Sequence, residues 1–142
     1  MNSTELSSSL RNAVSALHKR LRKQSGAVDM YSMTEVETIS RLFRATSLLP
    51  TELALQTRVK TQTMSQILKK MEEQGVIKRT PSKDDRRKVF VSLTPAGRKL
   101  VEKTRYDRDE WLMGAIEESL TAKEKELIEK VLPLLNKLVE TK

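Results

Sequence analysis

Residues 61–97 read TQTMSQILKKMEEQGVIKRTPSKDDRRKVFVSLTPAG, and the fold turns on how this stretch is read. At about 100° of rotation per residue, Met64, Ile67, Leu68 and Met71 share one sector, which predicts a helix from Thr61 to Gln74 with a single apolar face. Gln62, Gln66, Lys69 and Glu73 fall on the opposite side, flanked by Thr61, Thr63, Ser65 and Lys70. Gly75 follows where a left-handed cap needs a residue without Cβ. Val76 to Arg79 and Val89 to Leu93 predict two short strands, and the polar run from Pro81 to Lys88 is the turn between them. Thr94-Pro95 then supplies an N-cap and a first-turn proline for another helix.

Upstream, Leu49-Pro50-Thr51 opens a short helix, so a helix, a tight turn, a second helix and a hairpin follow in order. That order predicts a winged helix-turn-helix. Thr34-Glu35-Val36-Glu37 has the form of a capping box, and Val36, Ile39, Leu42 and Phe43 continue from it at helical spacing. Earlier still, Leu6, Leu10, Ala13, Val14, Leu17 and Leu21 lie on one stripe of a helix for which Ser3 or Thr4 is the expected cap. Downstream, the helix begun at Pro95 continues through Trp111, Leu112 and Ile116. A capping box at Thr121 to Glu124 starts the last helix, with Leu127, Ile128, Val131, Leu134, Leu135 and Leu138 on one broad face. Pro133 within it is expected to kink the helix or remove one backbone bond.

The fold class expected is therefore mainly α with a small β-hairpin wing. Three segments are read: an N-terminal helix and connector over 1–33, the winged helix-turn-helix over 34–100, and C-terminal helices over 101–142. A core of three short helices and a wing is too small to cover both terminal apolar faces. A bundle shared with a second copy of the chain buries them, which makes Leu6, Leu10, Val14, Leu17, Leu127, Val131, Leu134, Leu135 and Leu138 the dimerisation residues.

Charge points to the partner. The formal net charge is +8, and it is unevenly spread. Residues 1–50 hold 7 basic and 4 acidic side chains, residues 51–100 hold 12 and 5, and residues 101–142 hold 8 and 10. A polyanion is drawn to the middle third. Thr61, Gln62, Thr63, Ser65 and Gln66 are short or amide side chains suited to base edges, while Lys69 and Lys70 suit phosphates. In the turn, Lys83, Asp85, Arg86, Arg87 and Lys88 bring cations to a hairpin tip. A guanidinium is weakly hydrated and suits the focused negative potential of a narrow minor groove. Asp85, two residues before Arg87, has the spacing to fix that guanidinium in one rotamer.

Other chemistries find no residues. No cysteine means no disulfide, thiolate metal site or thiol switch, and one histidine (His18) excludes a histidine-rich metal cluster within the chain. The four glycines are scattered, and no Ser-His-Asp order or phosphate loop is present, so neither an enzyme nor a cofactor or metal protein is expected. The apolar run at Val131 to Leu135 is far short of a membrane span, and the opening Met-Asn-Ser-Thr-Glu-Leu has no signal-peptide pattern. A soluble cytoplasmic protein without a membrane partner is the expectation. The competing reading, a winged-helix protein-interaction module that does not bind DNA, requires an apolar outer face on the helix at 61–74, where Gln62, Gln66 and Lys69 stand instead.

The stretch Asp85-Arg86-Arg87-Lys88-Val89-Phe90-Val91-Ser92-Leu93-Thr94-Pro95-Ala96-Gly97, with Thr63 to Arg79 and Glu52-Leu53-Ala54 before it, resembles the MarR family of bacterial winged helix-turn-helix regulators. The resemblance covers residues 34–100, with departures at Met71 and Lys60-Thr61-Gln62. It implies a homodimer on a pseudo-palindromic double-stranded DNA operator, with Arg87 as the wing arginine and Asp85 as its buttress. It further implies a repressor released by a small-molecule effector held between the dimer helices and the DNA-binding lobe. Tyr31, Met33, Phe43, Trp111 and Met113 are the expected ligand-binding residues, although packing in the core is the favoured role for such side chains.

Overall fold

The computed structural model describes all 142 residues. Its elements run α1 (Ser3–Arg22), α2 (Met33–Ala45), β1 (Ser47–Leu48), α3 (Pro50–Thr57), α4 (Thr61–Glu73), β2 (Ile77–Pro81), β3 (Val89–Leu93), α5 (Pro95–Ser119) and α6 (Ala122–Glu140). Two compact units result, one of Ser25–Tyr106 and one of Met1–Gln24 with Asp107–Lys142. The architecture is mainly helical with a small antiparallel sheet, as the sequence predicts.

The unit of Ser25–Tyr106 carries a closed core. Met64, Leu68 and Met71 of α4 are fully buried, and Ile67 packs beside them, so the apolar sector of α4 is the one its periodicity assigns. They meet Ile39 and Leu42 of α2, Leu53 and Ala54 of α3, and Leu48, Ile77, Val91 and Leu93 of the sheet. The strands are ordered β1-β3-β2. The hairpin register pairs Ile77 with Leu93 and Pro81 with Val89.

Local chemistry moves several boundaries from their expected places. Asn2, rather than Ser3 or Thr4, caps α1, its side chain accepting from the Glu5 N–H at 2.8 Å while the Glu5 carboxylate accepts from the Asn2 N–H. The box that opens α2 is Ser32 with Glu35, not Thr34 with Glu37. Both pairs have the required spacing of three, but the earlier start leaves Glu37 free to pair with Arg41 one turn on, at 3.0 Å. Strand β2 begins at Ile77 because the Val76 N–H donates to Met71 O and so completes the end of α4. Two-residue β1, absent from the sequence reading, pairs Ser47 with Ser92 and Leu48 with Val91. It is entered through Thr46, which holds φ at 71°. Helix α6 runs through Pro133 without a break. Proline has no N–H, so one backbone bond is missing there.

In the other unit, α1 and α6 contain no buried residue. Leu6, Val14, Leu17, Leu127, Val131, Leu134 and Leu138 are exposed, and Leu10 and Leu135 are half-buried. Trp111 lies under the Arg20 guanidinium, 5.0 Å from the ring centre. No helix is long and apolar enough to cross a membrane.

Candidate nucleic-acid interface

Helix α3 ends at Arg58, which takes the left-handed conformation (φ 58°, ψ 39°) and donates its N–H back to the last turn. Val59 N–H also returns to Ala54 O, at 3.1 Å. These bonds turn the chain sharply, and Lys60 becomes the N-cap of α4. Its side chain makes no capping bond, and the first turn of α4 has no acidic residue. The N–H groups and positive dipole end of α4 are thus not neutralised by its own first turn.

Thr61, Gln62, Thr63, Ser65, Gln66 and Lys69 are all exposed on α4. Gln62, Ser65, Gln66 and Lys69 line an open groove of about 470 Å³, together with Glu72 and with Arg79 from β2. The sequence reading missed Glu72 and Arg79. Neither carries a motif signal, and only the pairing of β2 with β3 after the turn at Gly75 sets Arg79 beside α4.

Lys70 is engaged within the protein. Its Nζ donates to Glu35 Oε1 at 3.1 Å. The Glu35 side chain is only 7% exposed, and its Oε2 is buried without a hydrogen-bond partner. Burial works to raise the Glu35 carboxyl. The Ser32 N–H and the Lys70 ammonium outweigh that and hold it below its ordinary value. Tyr31 beside it is pushed up by burial first and by the Glu35 charge second.

The wing turn is ordered by its own bonds. Ser82 N–H donates to Lys88 O at 2.8 Å, and Lys88 N–H donates to Asp85 O at 2.9 Å. The Ser82 hydroxyl accepts from the N–H groups of Asp84 and Asp85. Asp85 in turn accepts from Arg87 at three donors: the backbone N–H at 3.0 Å, Nε at 3.2 Å and Nη2 at 3.5 Å. The pairing expected from their spacing is present, yet the Arg87 side chain remains 91% exposed. Arg86, Lys83 and Lys88 are exposed around it. The hairpin tip therefore presents a guanidinium that is solvent-facing and already oriented.

The residues suggested for an effector fall in both units. Tyr31 and Phe43 pack on the core of Ser25–Tyr106, and the Phe43 ring lies near Arg105 (4.4 Å) and Arg98 (5.5 Å). Met33 and Met113 are exposed, and Trp111 is half-buried. The groove on α4 includes none of the five.

Comparison with known proteins agrees with this geometry. The MarR family profile matches residues 31–89, which span α2 to the start of β3. A Mycobacterium bovis protein named as an HTH-type transcriptional regulator is 27% identical over 135 residues, covering 95% of this chain and 93% of that protein. A Pseudomonas aeruginosa protein of known crystal structure superposes with a TM-score of 0.81 at 27% identity, covering 98% of this chain and 97% of that one. A mutant of S. aureus MepR, solved bound to an oligodeoxyribonucleotide, superposes with a TM-score of 0.68 at 22% identity over 94% of this chain and 97% of that one. Proteins of this family regulate transcription and are not enzymes. With its helix-turn-helix and wing in place, the chain carries a MarR family domain over residues 31–89 and is similar along most of its length to transcriptional regulators.

Proposed function

We propose that the chain is a sequence-specific double-stranded DNA-binding regulator that acts as a homodimer on a pseudo-palindromic operator. The observation that carries this reading is Arg87, nine-tenths exposed at the wing tip and held by Asp85, on the hairpin that directly follows the polar face of α4. Residues 34–100 form the DNA-binding part. Helix α4 enters a major groove, where Gln62 and Gln66 suit adenine edges and Thr61, Thr63 and Ser65 suit base or phosphate contacts. The wing, with Lys83, Arg86, Arg87 and Lys88, enters the neighbouring minor groove. Lys69 supplies charge to a phosphate, while Lys70 serves mainly to anchor α4 to Glu35. The oligonucleotide-bound MepR structure, on the same fold, supports this mode of use.

The segments 1–33 and 101–142 provide the dimer. Exposed leucines along α1 and α6, with nothing buried in either helix, support burial against a second copy. Two recognition helices about 34 Å apart then meet successive turns of one duplex face. By resemblance, the mode of action is repression in the cytoplasm, relieved by a small-molecule effector, and Tyr31, Met33, Phe43, Trp111 and Met113 are the residues to substitute in seeking it.

The test is duplex binding by the full chain at rising salt, with DNA from its own promoter region. Affinity falls steeply with salt as counterions are released. Arg87→Ala weakens binding by about 1–3 kcal/mol. A chain that ignores duplex DNA at low ionic strength refutes the reading.

A further inference from the structure

A single sugar-phosphate strand separates a major groove from the minor groove next to it. If α4 occupies the first and the wing the second, that strand crosses the surface joining them. In this protein that surface is β2 and the adjoining flank of α4. There lies the groove of about 470 Å³ lined by Gln62, Ser65, Gln66, Lys69, Glu72 and Arg79. Two cations against one carboxylate leave it a net charge of +1, and the other three side chains offer hydrogen-bond donors. It is polar and cationic where a phosphodiester has to pass.

Arg79 is the residue that fits the contact. Its side chain is 32% exposed, its Nε is buried with no acceptor at hydrogen-bond distance, and the Glu72 carboxylate stands 3.7 Å from that Nε. Glu72 is the next-to-last residue of α4, and Arg79 is the third residue of β2. The ion pair thus ties the helix that enters the major groove to the strand that leads to the wing. A guanidinium so placed has donors to spare for a phosphate, and the carboxylate limits its rotamers before DNA arrives.

We propose that Arg79, positioned by Glu72, grips the phosphate strand that passes between the recognition helix and the wing. This inference rests on the duplex reading given above and adds to it a contact outside both the helix face and the wing tip. It makes Glu72 a positioning residue whose negative charge favours DNA binding. Simple charge counting predicts the reverse, since an acid near a polyanion ought to repel it.

The experiment uses the full-length chain and a duplex of roughly 30 base pairs, enriched from a randomised pool by the wild-type protein. Anisotropy titrations run from about 50 to 200 mM salt, well below the thermal midpoint of each variant. Arg79→Gln is expected to weaken binding about tenfold at the low end and to reduce the slope of log affinity against log salt by about one. Its deficit against wild type therefore shrinks about threefold across that range. Arg79→Lys is expected to recover the slope but only part of the affinity. Glu72→Gln is expected to weaken binding several-fold although it removes a negative charge. Unchanged affinity and slope in Arg79→Gln, with Arg87→Ala still impaired, overturns the strand contact and leaves the duplex reading standing. Tighter or unchanged binding by Glu72→Gln overturns the positioning role. If the wild-type chain enriches no duplex, the underlying reading itself has failed.

Discussion

Gly97 shows how one side chain fewer can fix an arrangement of elements. A Cβ built on it would lie 2.2 Å from the carbonyl oxygen of Val76, which is backbone and has no side chain to swing aside. The same contact is bound by Thr94, whose hydroxyl donates to Gly75 O at 2.6 Å and accepts from the Gly97 N–H at 3.1 Å, while its own N–H donates to Val76 O. The Thr94-Pro95-Ala96-Gly97 run thereby holds the start of α5 on the turn that ends α4. Gly97→Ala is expected to destabilise the chain by about 2 kcal/mol or more through forced backbone movement. Thermal unfolding followed by circular dichroism checks it, and an unchanged midpoint contradicts the packing described. Sequence reading found Thr94-Pro95 as a helix start, but not that Gly97 is the point of contact. That depends on Val76, 21 residues earlier in the chain.

Among the elements, α4 is anchored by more than its apolar face. Lys70 reaches Glu35, 35 residues away, and so ties the later turns of the recognition helix to the beginning of α2. Periodicity places Lys70 with Lys69 on the outer flanks, where both suit phosphate. Periodicity says nothing of a buried acid on another helix. Because the Glu35 carboxyl is held below its ordinary value near 4.5, it binds a proton less readily folded than unfolded. Its stabilising contribution is therefore complete above that value and is lost as pH falls through the lower folded one. Glu35→Gln is expected to cost about 1–2 kcal/mol near neutral pH. Denaturant unfolding across the acid range should show the wild-type advantage constant down to about pH 5 and shrinking below it. An advantage that persists undiminished at pH 3 rules out the charged pair as its source.

For the whole molecule, the distribution of burial is the central fact. Every buried apolar side chain belongs to the unit of Ser25–Tyr106, whereas α1 and α6 bury none and leave most of their leucines exposed. Leu127, Leu134 and Leu138 are each more than half exposed on one helix. At about 25 cal/mol per Å² of apolar surface, covering two such faces is a strong drive to associate. The wild-type chain is expected to run at twice its own mass in size-exclusion chromatography with light scattering. The double variant Leu127→Glu/Leu134→Glu is expected to run at the single mass and to lose operator affinity, because two linked half-sites become one. A wild-type chain of single mass at micromolar concentration contradicts the proposed dimer.

The sequence alone determined the helices, the hairpin and the inner face of α4, because each follows from interactions within about one turn or one strand pair: apolar spacing, caps, glycine and proline. It also determined that Asp85 and Arg87 would meet, since only two residues separate them. Tertiary structure decided what depends on distant partners. It added β1, which exists only by pairing with β3, sent Lys70 to Glu35, and placed Arg79 beside Glu72. The physical reason is that hydrogen bonds and ion pairs between remote segments form after the core has set their separation, and no local pattern encodes that separation.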